Sequence, residues 1–382
     1  VNAQTQAPTL FTRPDTLGVA WADGRVAEFA SIWLYDNAPA HRDPHSGQRL
    51  VDIADLPEQP RIRAAVVHNG RLKLEWEGSA EGVWFDLPWL AAQRDRRPYR
   101  AELEARRWLD GAARRAGSDF ARVSWAQVET DRQVRSSWLT RLVQDGIGFL
   151  SGVPAVEDAL FASMRLIGQV AETNYGTVFD VRSVPQPENL AYSDLGLGLH
   201  TDNPYRDPVP GFQALHVLIA SPDGGESLFA DGFALAEHLR AIDPEAFALL
   251  ARTPVPFHYR SQNAELFAER PLIELSSRDE VRAVHYNSRS IAPLRLAPLE
   301  AAPFYAAYRR FAAVLREPGF QLKLHLPEGE IVVFDNQRIL HGRTAFSSAR
   351  HARHLRGCYL TRDSVYGAAA LLRRELAAGA AR

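Results

Sequence analysis

Cysteine is nearly missing from this chain. Its one thiol, Cys358, excludes an intramolecular disulfide and any thiolate zinc cluster. Long apolar runs are missing too, and no stretch approaches the length that crosses a membrane. Charge of one sign is not in excess. The formal net charge is −2, which gives no broad attraction to nucleic acid or to an anionic membrane. The opening residues 1–14 are polar and hold no apolar signal-peptide core. These absences predict a cytoplasmic enzyme with neither a nucleic-acid nor a membrane partner. Internal repeats and low-complexity segments are also lacking. What is present is a globular composition, 46% hydrophobic and 24% charged, over 382 residues. That length suits one large domain plus a small one.

Residues 1–16 read as a loose arm. Residues 17–95 read as a small β domain, because Asp23-Gly24 and Asn69-Gly70 are strong hairpin turns between apolar runs. Leu72, Leu74 and Trp76 alternate with charged residues, as a half-buried strand requires. Trp33, Trp84 and Trp89 are expected in its core. An arginine-rich linker over 96–117 is expected to cross the surface. Residues 118–382 hold many short strands with a few flanking helices. Helices are expected over 135–144, 156–171 and 235–240, after Asp243-Pro244, and from Pro303. The pattern predicts a mainly β fold with flanking helices, a double-stranded β-helix (jelly roll) behind the small N-terminal β domain.

The chemistry centres on Leu199-His200-Thr201-Asp202. In extended chain, residues i and i+2 share a face, so the His200 imidazole and the Asp202 carboxylate stand side by side. A distant histidine, His341 in Leu340-His341-Gly342-Arg343, would complete a set of two histidines and one carboxylate. Such a set suits Fe(II) and leaves adjacent positions open. The plain alternative is that His200 and Asp202 only hydrogen-bond near a turn. Arg353 opens a strand-like run and would clamp a carboxylate, the distal one of 2-oxoglutarate, by a two-pronged ion pair. Alternatively it is one surface arginine among Arg350, Arg353 and Arg356. Tyr175, Phe179, Tyr192 and Tyr359 would surround a quaternary ammonium with π faces, or else serve as ordinary core aromatics.

These stretches, with Asn189-Leu190-Ala191-Tyr192, Pro210-Gly211-Phe212-Gln213, Gly224-Gly225-Glu226-Ser227, Phe334-Asp335-Asn336 and Arg353-His354-Leu355, carry a resemblance. From about Gly18 to Tyr366 the chain resembles the γ-butyrobetaine dioxygenase family of Fe(II)/2-oxoglutarate oxygenases. The resemblance implies that His200, Asp202 and His341 bind iron. It implies that Arg353 binds 2-oxoglutarate, with Leu215 lining that site, and that O2 is the oxidant. Tyr175, Phe179, Tyr192 and Tyr359 match the family's trimethylammonium cage, Phe179 standing where tryptophan is usual. Asn189 matches an asparagine for the substrate's acid end. A homodimer and a small zwitterionic substrate are implied as well.

Two departures stand out. The family's N-terminal zinc site needs three cysteines and a histidine, whereas residues 33–41 here hold no thiol. His41 and His45 cannot rebuild it, so no zinc is expected. The acid-binding loop usually pairs asparagines, but here it reads Asn287-Ser288-Arg289. A guanidinium beside Asn287, Ser288 and Asn189 suits a phosphonate, with its three acceptor oxygens. Arg289 pointing to solvent is the alternative. The expected substrate is 2-(trimethylammonio)ethylphosphonate, with γ-butyrobetaine as the alternative. Rival readings are a trimethyllysine or taurine-type oxygenase and a metal-free jelly-roll binding protein.

Overall fold

A computed structural model describes residues 7–79, 81–94, 103–109, 120–182, 194–347 and 353–380. The chain divides into a unit of residues 1–101 and a unit of residues 102–382.

In the first unit the two turn dipeptides act as expected. Asn69 (φ 48°) and Gly70 (φ 72°) both occupy the left-handed region that a tight two-residue hairpin turn requires. They join Ile62–His68 to Arg71–Trp76, which also pairs with Val83–Asp86. Asp23-Gly24 joins Thr16–Ala20 to Val26–Ala30. Part of the expected arm is a strand: Thr9–Thr12 adds to Thr16–Ala20, since an open sheet edge offers unpaired backbone donors and acceptors. Leu72, Leu74 and Trp76 are buried with Leu17, Val19 and Phe85. Trp33, Trp84 and Trp89 are corrected from core to rim. The first two are half-buried and Trp89 is 38% exposed, stacked on Trp33 at 5.7 Å. Trp76 takes the core place because its indole N–H finds the Ser31 hydroxyl at 2.9 Å.

The second unit is built on two sheets. The larger runs Phe179–Arg182, His354–Leu360, Phe212–Ile219, Ile331–Asp335, Ile147–Ser151 and Ala121–Ser124, and the short Val170–Ala171 strand also pairs with His354–Leu360. The smaller runs Leu197–His200, Ile339–Arg343, Ser227–Asp231 and Leu322–Leu324. Alternation sorts the central strands. Phe212, Ala214, Cys358 and Leu360 face one apolar cluster with Trp138 and Leu142 of the Arg132–Asp145 helix and Val365 of the Arg362–Ala380 helix. Val217, Phe334 and Leu355 face the opposite way, into a cluster shared with Phe229 of the smaller sheet. A third cluster packs Leu340 against the Gly232–Ile242, Pro244–Arg252 and Pro298–Leu315 helices.

Three expectations are corrected. Within the expected surface linker, Leu103 and Trp108 are buried; Trp108 donates from its indole to the Asp145 carbonyl and from its backbone to Asp231. The helix expected over 156–171 is confined to Ala159–Met164, after which the chain turns into Val170–Ala171. The helix expected from Pro303 starts at Pro298, and Pro303 lies inside it, following a first turn where Leu299 is 91% exposed and water can satisfy freed carbonyls. Among the described residues no helix is long and apolar enough to cross a membrane.

Candidate active site

His200 and His341 are direct cross-strand partners at the edge of the smaller sheet. Their rings lie 4.3 Å apart. Asp202 follows His200 out of its strand. Its Oδ1 is 3.2 Å from His200 Nε2 and its Oδ2 is 3.6 Å from His341 Nε2. One ligand atom from each of the three residues falls within 4.8 Å of the others, the one such group among the described residues. His200 Nδ1 is 2.9 Å from the Gly198 carbonyl. The proton belongs on that nitrogen, which turns the Nε2 lone pair toward the cluster. His341 packs on Phe334 at 4.8 Å. Burial, and then the neighbouring His200, push its imidazole down to about 3, so it is neutral and able to bind a cation. Burial works to raise the Asp202 carboxyl. The electrostatic interaction with the adjacent His341 and the hydrogen-bonding contacts with His200 and Tyr359 prevail, holding it below the usual carboxylate range. The backbone of Asp202 is fixed by Asn336, which accepts from its N–H at 2.7 Å and donates to its carbonyl at 3.0 Å. Two imidazoles and a carboxylate with no thiolate on this face fit Fe(II); Cys358 is turned to the helix-covered side.

The cluster opens on a cavity of ≈ 430 Å³. Arg353 and Leu215 line one part of it, as expected, joined by Gln213, Ser227 and Arg343. Arg353 is buried, donates from Nε to the Gly225 carbonyl at 3.2 Å, and forms no ion pair among the described residues. Burial and the nearby Arg343 bring it down to about 10, so it still carries its charge at neutral pH. Gly225 makes this seat. Its φ is +66°, and a Cβ there would meet Arg353 Cδ at 2.8 Å. A buried cation facing a cavity beside a second guanidinium favours a dianionic ligand.

The other part of the cavity is aromatic. Phe179 lies 5.1 Å from Tyr359 and 6.2 Å from Tyr175. Two members were missed from sequence: Tyr205 and Tyr259 stack at 5.0 Å, and Tyr259 also approaches Tyr175. Tyr205 stands three residues after Asp202, a signal present in the sequence. Tyr259 comes from the Val255–Arg260 strand and had none. Asn287 and Arg289 line the cavity; Asn287 donates to the Thr201 carbonyl at 3.1 Å. Arg289 is solvent-exposed at the mouth. Protein around its guanidinium nevertheless lowers it from the ordinary arginine value, with Asp202, Tyr205 and Tyr175 acting against that. Ser288, expected beside them, is exposed, lies against Tyr308 and does not line the cavity. The expected Asn189 and Tyr192 lie outside the described residues.

Residues 110–359 match the family described as "Taurine catabolism dioxygenase TauD, TfdA family". The chain is 35% identical to a γ-butyrobetaine dioxygenase of Pseudomonas sp. (strain AK-1), covering 94% of each chain. It is 26% identical to a trimethyllysine dioxygenase of Meyerozyma guilliermondii, covering 91% of each. A solved taurine dioxygenase from Burkholderia xenovorans is similar at a TM-score of 0.46 and 16% identity, covering 62% of this chain and 81% of that one. With its paired histidines and carboxylate, the chain belongs to the TauD, TfdA family and is an Fe(II)/2-oxoglutarate-dependent dioxygenase related to the γ-butyrobetaine dioxygenases.

Proposed function

We propose that this enzyme hydroxylates a C–H bond of a small acid bearing a trimethylammonium group, on a double-stranded β-helix scaffold. The observation that carries this reading is one cavity joining three parts: the His200–Asp202–His341 cluster, the Arg353 end, and the aromatic end. His200, Asp202 and His341 would hold Fe(II), and Arg353 would hold the distal carboxylate of 2-oxoglutarate with Leu215 against its chain. Bound together with O2, these supply the oxidising power that turns C–H into C–OH while 2-oxoglutarate becomes succinate and CO2. The protein's own task is positioning. Tyr175, Phe179, Tyr205, Tyr259 and Tyr359 present π faces to the cation, each contact worth ~1 kcal/mol or more once water is excluded. Asn287 and Arg289 hold the acid. With both ends fixed, one carbon is presented to the cluster, and the chain cannot swing.

γ-Butyrobetaine is the first candidate, from the names of the relatives. The phosphonate preferred from the sequence draws nothing from them. It stands as a second reading on Arg289 lining the cavity beside Asn287, where a guanidinium and an amide together offer donors to a phosphonate's three acceptor oxygens. The test is a paired assay. Anaerobically reconstituted enzyme receives O2 with either γ-butyrobetaine or 2-(trimethylammonio)ethylphosphonate, and a 16-dalton mass gain is followed, the mass of one oxygen atom. γ-Butyrobetaine turnover supports the first candidate, and phosphonate preference the second. Failure of both removes the trimethylammonium reading.

A further inference from the structure

A chain of hydrogen bonds runs from the aromatic end of the cavity to the carboxylate of the metal cluster. Tyr359 donates its hydroxyl proton to Asp202 Oδ2 at 2.9 Å. Asn203 Nδ2 donates to the Tyr359 hydroxyl oxygen at 3.2 Å. Tyr205 donates to Asn203 Oδ1 at 2.6 Å, and its oxygen lies 3.3 Å from the Tyr175 hydroxyl. Asn203, Tyr205 and Tyr359 are all buried. The direction of every bond is set by chemistry. A carboxylate only accepts, and a phenol has one proton. Because the Asp202 carboxylate has no proton, the single Tyr359 proton must point at it, and the Tyr359 oxygen can then only accept from the Asn203 amide. The Asn203 NH2 is thereby turned to Tyr359 and its oxygen to Tyr205, which must donate. Asn203 holds its place with φ +54°, a left-handed backbone that asparagine adopts at low cost. Both carboxylate oxygens face the histidines, Oδ1 at 3.2 Å from His200 Nε2 and Oδ2 at 3.6 Å from His341 Nε2, but Oδ2 alone also accepts the phenol proton.

We propose that Asn203 is a positioning residue that acts through the Tyr359 hydroxyl to hold Asp202 Oδ2, which leaves Oδ1, with no phenol donor on it, as the better oxygen for the metal. A carboxylate left to bind through both oxygens would take up one of the positions that 2-oxoglutarate and O2 need. The inference rests on His200, Asp202 and His341 being the iron ligands.

The test uses Tyr359→Phe, Asn203→Gly and the double variant in the full chain. Glycine keeps the left-handed backbone and deletes the amide. Fe(II) affinity and the visible absorption of the Fe(II)–2-oxoglutarate complex are measured anaerobically and without substrate, so any role of Tyr359 in holding a cation does not enter. Tyr359→Phe is expected to weaken Fe(II) binding roughly 10–100-fold and to shift the band. Asn203→Gly should move both in the same direction by less. The double variant should match Tyr359→Phe alone, because the amide acts only through the hydroxyl. Unchanged affinity and band in Tyr359→Phe, or additive losses in the double variant, would overturn the proposal. If Asn203→Gly does not fold, Tyr359→Phe decides alone. Wild-type protein that binds no Fe(II) would overturn the ligand assignment itself, and this inference with it.

Discussion

At the scale of single residues, the arginine seat makes the sharpest demands. Arg353 is held by the Gly225 carbonyl, and its stem lies where any side chain at Gly225 would stand. Arg353→Ala should raise the 2-oxoglutarate concentration needed for half-maximal turnover by about tenfold or more, matching the ~1.5–3 kcal/mol of charge-assisted hydrogen bonding removed. Arg353→Lys should fall between, since an ammonium cannot form the two-pronged pair. Gly225→Ala should shift the same requirement in the same direction and cost about 1–2 kcal/mol of stability, because alanine pays for the left-handed backbone. A 2-oxoglutarate titration of the three variants checks the order. Equal requirements in wild type and Arg353→Ala would mean that another residue clamps the acid.

At the scale of elements, alternation explains what could be read from the sequence and what could not. On the His354–Leu360 strand, Leu355, Gly357 and Tyr359 share one face, and Arg353 precedes them in step. Period two turns Arg353 and Tyr359 the same way. The hairpin turns and the His200–Asp202 pair were legible because short-range geometry carried them, whereas the distant His341 came from the ligand set the pair lacked and from the resemblance. The Val255–Arg260 wall was not legible. Its Phe257 bridges to Ile291 and His258 donates its N–H to Ser290, contacts that only the folded chain brings about. Nor was the burial of Trp108, whose polar partners Asp145 and Asp231 come from distant elements. Gly357 shows why the central strand needs a glycine on its cavity face. A Cβ there would meet the Phe179 ring at 2.5 Å. Gly357→Ala should push Phe179 aside at a cost of about 1–3 kcal/mol. Steady-state kinetics should show KM for the ammonium substrate rising more than KM for 2-oxoglutarate. An unchanged substrate KM would remove Phe179 from the cage.

At the scale of the whole molecule, His216 ties stability to pH. It is fully buried on the Phe212–Ile219 strand and is not among the residues that line the cavity. Burial lowers it from 6.5 to about 4, with only the Val153 backbone acting against this. The unfolded chain thus takes up a proton as pH falls below 6.5 while the native state does not until about 4. Stability is full above 6.5 and falls through that window, by up to roughly 3 kcal/mol for this residue. His216→Leu should flatten the fall. Urea unfolding at pH 7.5 and at pH 4.5 measures it, and an unaltered difference between the two would assign the acid sensitivity elsewhere.

The pairing of His200 with His341 also divides the chain into two kinds of sequence. The ligands stand at the two roots of a long excursion, and along it lie Tyr259, Arg260, Asn287 and Arg289, which wall the cavity. The segment between the Ser227–Asp231 and Leu322–Leu324 strands belongs to neither of the two main sheets, so its wall residues can change while both roots stay in register. A change of substrate then needs no change of oxidant. One cluster of three side chains can then serve more than one acid, because part of the wall that faces the substrate is strung between its anchors.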